Sequence, residues 1–81
     1  MEIVLSDRAI AALTEAPPAV VRAFEKQLRF LAGNIQHPSL RAKNYDEARD
    51  MWQAPVNRGW RFYFTIADDT YRIEDIIPRP K

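Results

Sequence analysis

Arg61 is the residue of this sequence whose type and surroundings most directly suggest chemistry. The segment 57–76, "NRGWRFYFTIADDTYRIEDI", sets its fixed positive charge among large aromatic residues. A guanidinium forms paired hydrogen bonds with phosphate, and aromatic rings stack on unpaired bases. Tyr63 follows two residues later, on the same face of an extended strand. This pattern indicates a phosphate-binding site, and an ordinary solvated sheet face is the alternative interpretation.

The charge balance gives no independent sign of a polyanion partner. Net charge is +1, and residues 41–81 hold eight basic and seven acidic side chains. A basic surface must therefore come from sorting these charges onto different faces of the fold. Arg72 is expected on the same open face of a sheet as Arg61, opposite Thr65, with Arg79 and Lys81 where the last strand ends.

Other catalytic chemistries find little support. The sequence has no glycine-rich phosphate loop, no metal-binding cluster and no serine-nucleophile motif. His37, the only histidine, precedes a proline in a loop and is interpreted as structural. Cysteine is absent, which excludes disulfides and thiolate metal sites. We therefore expect no metal and no cofactor.

Length and hydropathy predict a single domain spanning residues 1–81. The first residues, "MEIVLSDR", lack the basic and apolar regions of a signal peptide. No apolar stretch approaches the roughly 18 residues of a membrane span. A cytoplasmic protein without a membrane partner is the expectation.

The first third of the chain is predicted to form a strand and a helical hairpin. "EIVL" suits a short strand, and Ser6 suits the N-cap of a first helix. Pro17 and Pro18 separate this helix from a second one, whose apolar stripe recurs every three or four residues. Gly33 and Asn34 are expected to end the second helix in the left-handed conformation.

From Trp52 onward the apolar period changes to two, which predicts an antiparallel meander, with a short edge strand near residues 40–45. Turns at Asn57–Gly59 and Asp68–Asp69 place Pro55 and Ile76 on either side of Arg61. The same register places Asp75 opposite Phe62 on the core face, a conflict expected near an open end of the sheet. The predicted fold is α+β, with the helical hairpin on one face of a mainly antiparallel sheet.

Three segments in order resemble the RelE/ParE superfamily of bacterial toxins from type II toxin–antitoxin systems. They are "HPSLRAK", the hairpin "WQAPVNRGWRFYF" and the closing "DIIPRPK". The resemblance implies the fold predicted above and a cognate antitoxin as partner. For RelE-type members it implies a ribosome-dependent endoribonuclease that cuts mRNA by attack of the ribose 2′-hydroxyl on the adjacent phosphate.

The resemblance also implies which residues act. Arg61 matches the arginine that stabilises the transition state, and Lys81 or Arg79 matches the basic residue beyond the last strand. From the sheet register, and not from the resemblance, Tyr63 is assigned to base binding or to a share in proton transfer. The residues assigned to RNA binding are Arg41, Lys43, Arg58 and Arg72.

Two departures bear on activity. Gln53 and Pro55 occupy positions where RelE-type members tend to carry basic residues, which suggests an attenuated nuclease.

ParE-type members share the fold and inhibit DNA gyrase without nuclease chemistry. That activity and an inactive antitoxin-binding protein are the alternative hypotheses.

Overall fold

The computed structural model describes residues 2–79, which form two helices laid on one face of a five-stranded sheet. The strands are β1 (Glu2–Leu5), β2 (Lys43–Asp46), β3 (Met51–Pro55), β4 (Trp60–Ala67) and β5 (Thr70–Pro78). The helices are α1 (Asp7–Glu15) and α2 (Pro18–Gly33), and a 3-10 turn, Glu47–Arg49, follows β2. Strand order is β1-β5-β4-β3-β2, with only β1 and β5 parallel. The predicted α+β architecture is confirmed.

The start of each helix follows from local sequence. Ser6 caps α1 as predicted, its hydroxyl accepting a hydrogen bond from the backbone N–H of Ala9 at 3.1 Å. Pro18 begins α2, where its missing N–H costs no helical hydrogen bond.

The predicted left-handed stop of α2 is wrong. Asn34 has an extended backbone with φ of −168°, and no glycine in residues 2–79 has positive φ. The backbone N–H of Asn34 instead bonds to the carbonyl of Phe30 at 2.9 Å, while its side chain accepts from the backbone N–H of Gln36. These two bonds end the helix without a left-handed residue. Positive φ occurs instead at Arg41, Asp50 and Asp68.

The core lies between the helices and one face of the sheet. Phe24 of α2 meets Phe62 of β4 edge to face, with ring centroids 5.2 Å apart. Phe64 continues the aromatic layer toward Tyr71, at 5.8 Å. Because residues alternate along β4, Arg61, Tyr63 and Thr65 extend to the opposite, open face.

A bulge in β5 corrects the predicted register. Phe64 pairs with Ile73 as expected, but Tyr63 pairs with Asp75, so Glu74 is an extra residue in β5. The predicted pairs Phe62–Asp75 and Arg61–Ile76 are therefore wrong. Phe62 instead lies opposite Ile76, which is 1% exposed, and Arg61 lies opposite Ile77. The bulge removes the Asp75 conflict by placing this carboxylate on the open face.

Ser6 connects the start of α1 to this bulge. Its hydroxyl donates to the carbonyl of Glu74 at 2.7 Å, and its backbone N–H donates to the carbonyl of Ile73 at 3.0 Å. Ser6 is 8% exposed, so water cannot readily replace these partners. One buried side chain thus stabilises both a helix cap and the irregular point of the sheet.

Replacing Ser6 with alanine should lower the free energy of unfolding by about 1–2 kcal/mol, because the cap and the bond to the Glu74 carbonyl are lost together. Urea denaturation measures this change. Thr14→Ala is the matched control, since the exposed Thr14 hydroxyl bonds only to the carbonyl of Ile10 one turn earlier. Equal losses in the two variants would contradict the role assigned to Ser6.

Candidate functional site

Four basic side chains converge on a cleft at one end of the open sheet face. We call this the basic cleft; it has a volume of about 480 Å³. Its lining residues are Arg41, Lys43, Gln53, Ala54, Pro55, Arg61 and Arg79. Among residues 2–79, no acidic side chain lines it. Unbalanced positive charge in a concave site attracts anions and concentrates them locally.

The four cations of the basic cleft come from three parts of the chain: the start of β2, strand β4 and the end of β5. Arg61 lies on β4 directly opposite Pro55, and Lys43 lies on edge strand β2 opposite Gln53. Arg79 follows β5, where its backbone N–H donates to the carbonyl of Gly59 at 2.8 Å. Arg41 precedes β2 with a left-handed φ of 57°. Sheet register, the left-handed backbone at Arg41 and the backbone bond of Arg79 to Gly59 therefore assemble the cluster.

Arg61 is the cation most restricted by its surroundings. Its side chain is half-buried, and the Nε–H is buried without a hydrogen-bond partner among residues 2–79. Its guanidinium carbon lies 5.5 Å from the centroid of the Tyr63 ring. Because Arg61 also lines the cleft, an anionic ligand there is the natural partner for its guanidinium.

Gln27 supports this cleft from the core side and was missed by the sequence analysis. Its side-chain Nε2 donates to the carbonyl of Pro55 at 2.6 Å and to the carbonyl of Leu40 at 3.2 Å. The residue is 7% exposed. It therefore fixes the end of β3 and the residue before Arg41 relative to α2. The available signal was a lone amide on the apolar stripe of α2, between Phe24 and Leu31.

A second cleft on the open face, of about 630 Å³, differs in charge. We call it the mixed cleft, because Glu74, Asp75 and Asp7 line it together with Arg8 and Arg72. Arg72 Nε hydrogen-bonds to a carboxylate oxygen of Glu74 at 3.3 Å, and Thr65 donates to the other oxygen at 2.8 Å. Arg72 thus has a carboxylate partner, whereas Arg61 has none among residues 2–79.

Tyr63 lies at the boundary between the two clefts. It lines the mixed cleft, although its ring also lies beside the Arg61 guanidinium. The exposed Tyr45, which the sequence analysis did not single out, meets Tyr63 edge to face at 5.1 Å. The two rings form an aromatic pair next to the basic cleft, of the kind on which bases stack.

A third cleft, of about 420 Å³, opens on the α2 side of the same sheet end. We call it the helix-side cleft; Arg41, Pro55 and Arg79 line both it and the basic cleft. Lys26 of α2 and Arg58 of the β3–β4 turn also line it. Basic side chains therefore continue around the end of the sheet.

The predicted site residues divide into three groups. Arg41, Lys43, Arg61 and Arg79 lie together in the basic cleft, with Arg58 in the adjoining cleft. Arg72 lies apart from them, in the mixed cleft, which Tyr63 also lines. Lys81 lies outside the described residues.

The remaining titratable residues show no arrangement for metal or histidine chemistry. His37 stacks on Phe30 with centroids 4.3 Å apart, and its Nδ1 accepts from the backbone N–H of Ser39 at 3.1 Å. In residues 2–79, no three histidine or acidic side chains are grouped to hold a metal ion. No helix in this range is long and apolar enough to cross a membrane.

Comparison with known proteins shows the fold of this chain. No protein-family model matches the sequence, and no curated protein matches it significantly. Among solved structures, a YoeB/ParE toxin from Agrobacterium tumefaciens has a TM-score of 0.83 at 8% identity, covering 99% of this chain and 100% of the other. A chain of the archaeal RelE-RelB complex from Pyrococcus horikoshii OT3 has a TM-score of 0.82 at 16% identity, covering 99% and 96%.

YafQ from E. coli strain BL21(DE3) is a third similar structure, with a TM-score of 0.72 at 14% identity, covering 96% of this chain and 92% of the other. The chain therefore has the fold of the RelE, YoeB and YafQ toxins over nearly its whole length. The fold implied by the sequence resemblance is confirmed.

Replacing Gln27 with methionine should lower the free energy of unfolding by about 1–3 kcal/mol, because two carbonyls lose their buried donor. Urea denaturation of the purified protein measures the change. Arg29→Met, at an exposed position of the same helix, is the control and should be nearly neutral. A neutral Gln27→Met variant would show that the amide bonds do not hold α2 to the cleft.

Proposed function

We propose that this chain is a RelE-type toxin, an endoribonuclease that cuts mRNA on the ribosome. The observation that carries the proposal is Arg61, whose Nε–H is buried and unpartnered among residues 2–79, inside a cleft lined by four cations. Such a site suits a phosphodiester whose negative charge increases during reaction.

The chemistry requires little of the protein beyond orientation and charge. The 2′-oxygen of the substrate forms a bond to the adjacent phosphorus, and the bond from phosphorus to the 5′-oxygen breaks. The products are a 2′,3′-cyclic phosphate and a free 5′-hydroxyl. The proton released by the 2′-hydroxyl is balanced by the proton that the 5′-oxygen gains.

Arg61 would stabilise the charged phosphorane, and Arg79, Arg41 and Lys43 would orient the strand. The Tyr63 ring, beside the guanidinium, suits stacking on a base or a share in proton transfer. Gln53 and Pro55 occupy the cleft wall where basic residues are expected from the resemblance. Because this wall lacks their positive charge, the enzyme would cut more slowly than relatives with additional cations.

A cognate antitoxin is the proposed protein partner. Structures with this fold include the toxin-antitoxin complexes RelBE, YoeB-YefM and DinJ-YafQ. A segment that folds on binding could neutralise the toxin by covering the basic cleft. Carboxylates in that segment would compensate the four unbalanced cations.

Inhibition of DNA gyrase without nuclease chemistry is a second candidate. The observation that favours it is the absence of any histidine or carboxylate among residues 2–79 that line the basic cleft. A nuclease benefits from a proton acceptor near the 2′-hydroxyl, whereas an inhibitor that only binds needs none.

Arg61→Ala should reduce mRNA cleavage on translating ribosomes by roughly a hundredfold to a thousandfold, because the transition-state charge loses its main donor. Arg61→Lys should retain part of the activity, since it keeps the charge but not the planar fork. Primer extension on the translated mRNA measures the cuts.

Arg72→Ala is the matched control, because it removes an arginine from the same sheet face but outside the basic cleft. It should cut nearly as well as the natural sequence. Equal losses for Arg61→Ala and Arg72→Ala, with both variants folded, would contradict the assignment of Arg61. Growth arrest without cuts would favour gyrase inhibition.

Pro55→Arg should increase cleavage, because it adds a cation directly opposite Arg61 while keeping the carbonyl that Gln27 binds. Pro55→Ala separates this charge from the loss of the proline ring and should leave cleavage near its original rate. The same primer-extension assay applies. A Pro55→Arg variant no faster than Pro55→Ala would show that this wall does not limit the reaction.

A further inference from the structure

The helix-side cleft has features of a nucleic-acid site next to the cleft in which we propose cleavage. Lys26 and Arg58 contribute charge from α2 and from the β3–β4 turn, and Arg41 and Arg79 contribute from the shared wall. Within the described chain, no acidic residue lines this cleft either. All four cations therefore lack a carboxylate partner in the cleft itself.

The cleft also offers apolar surface beside its cations. Phe30, half-buried and stacked on His37, and the buried Val56 both line it. A nucleotide combines a phosphate with a flat apolar base, so it matches a site of cations next to an aromatic ring. Inorganic phosphate would use only the charged part.

We propose that the helix-side cleft binds a neighbouring nucleotide of the same single-stranded RNA whose scissile phosphate occupies the basic cleft. This inference rests on the proposed function and extends it to a second subsite. Arg41 and Arg79 line both clefts, so they can contact the phosphates on either side of the shared wall. The strand would pass around the sheet end, from the open face toward α2.

The test measures binding of a fluorescent RNA five nucleotides long, with 2′-O-methyl groups that prevent cleavage, by anisotropy at several salt concentrations. The variant is Lys26→Ala/Arg58→Ala. Its control is Arg22→Ala/Arg29→Ala, which removes the same charge from exposed positions of α2 that line none of the three clefts. A dinucleotide serves as the short probe.

For the five-nucleotide RNA, the slope of log affinity against log salt should fall by about 1.4 in the Lys26/Arg58 variant, since each lost phosphate contact contributes roughly 0.7 for a single strand. The control variant should keep the original slope, and the dinucleotide should bind equally well to all three proteins. Equal losses in both double variants would overturn the proposal, because general charge would then explain binding.

The outcomes separate this inference from the proposed function. A smaller salt slope of RNA binding in Lys26→Ala/Arg58→Ala alone would support the subsite. If the same protein cuts no mRNA, the proposed nuclease activity fails while the subsite stands. Cleavage that depends on Arg61 but RNA binding indifferent to Lys26 and Arg58 would overturn the subsite alone. An oligoglutamate peptide serves as the competing ligand. If its affinity falls as much as that of the RNA when Lys26 and Arg58 are replaced, the subsite is also overturned, because the cleft would then suit an acidic protein segment.

Discussion

One extra residue in β5, Glu74, determines which side chains reach each face of the sheet. Before it, β4 and β5 pair in the register that the two-residue turn requires, and after it every partner is shifted by one. The shift brings Ile76 into the core opposite Phe62 and moves Asp75 to the open face. Ser6, near the start of the chain, stabilises the bulge by hydrogen bonds to the carbonyls of Glu74 and Ile73. Core packing and charge placement thus depend on the same irregularity.

The bulge also shows where sequence reasoning reached its limit. Alternation from Trp52 to Ile73, the Ser6 cap of α1 and the proline start of α2 are local signals, and the elements they predict are present. At the bulge, Ser6 bonds to the carbonyl of Glu74, which lies 68 residues away in the sequence, so no local pattern encodes this contact. Asp75 on the predicted core face was its only visible sign. The Gln27 bonds to Leu40 and Pro55 are likewise contacts between separate elements.

Although the chain is nearly neutral, its basic and acidic side chains are concentrated in different parts of the surface. The net charge is +1, yet the cations near Arg61 lie apart from the carboxylates that surround Arg72. Sequence analysis identified the residue types and the strand face, and Arg61, Arg79, Arg41 and Lys43 do lie together. It placed Arg72 on the same sheet face, where the Arg72 Nε–H bonds to a carboxylate oxygen of Glu74 at 3.3 Å instead of joining the basic cleft. Pairing of this kind is a property of the folded sheet.

We propose that the substrate's own 2′-hydroxyl attacks the phosphate held in the basic cleft and so cuts the strand. The most direct measurement programs ribosomes with mRNA carrying a single 2′-deoxynucleotide on the 5′ side of the mapped cut, and compares cleavage with the all-ribose message. We expect the all-ribose message to be cut to a 2′,3′-cyclic phosphate and the deoxy message to stay intact at that position. Continued cutting at the deoxy position, or no cutting of either message by the folded protein, would contradict it.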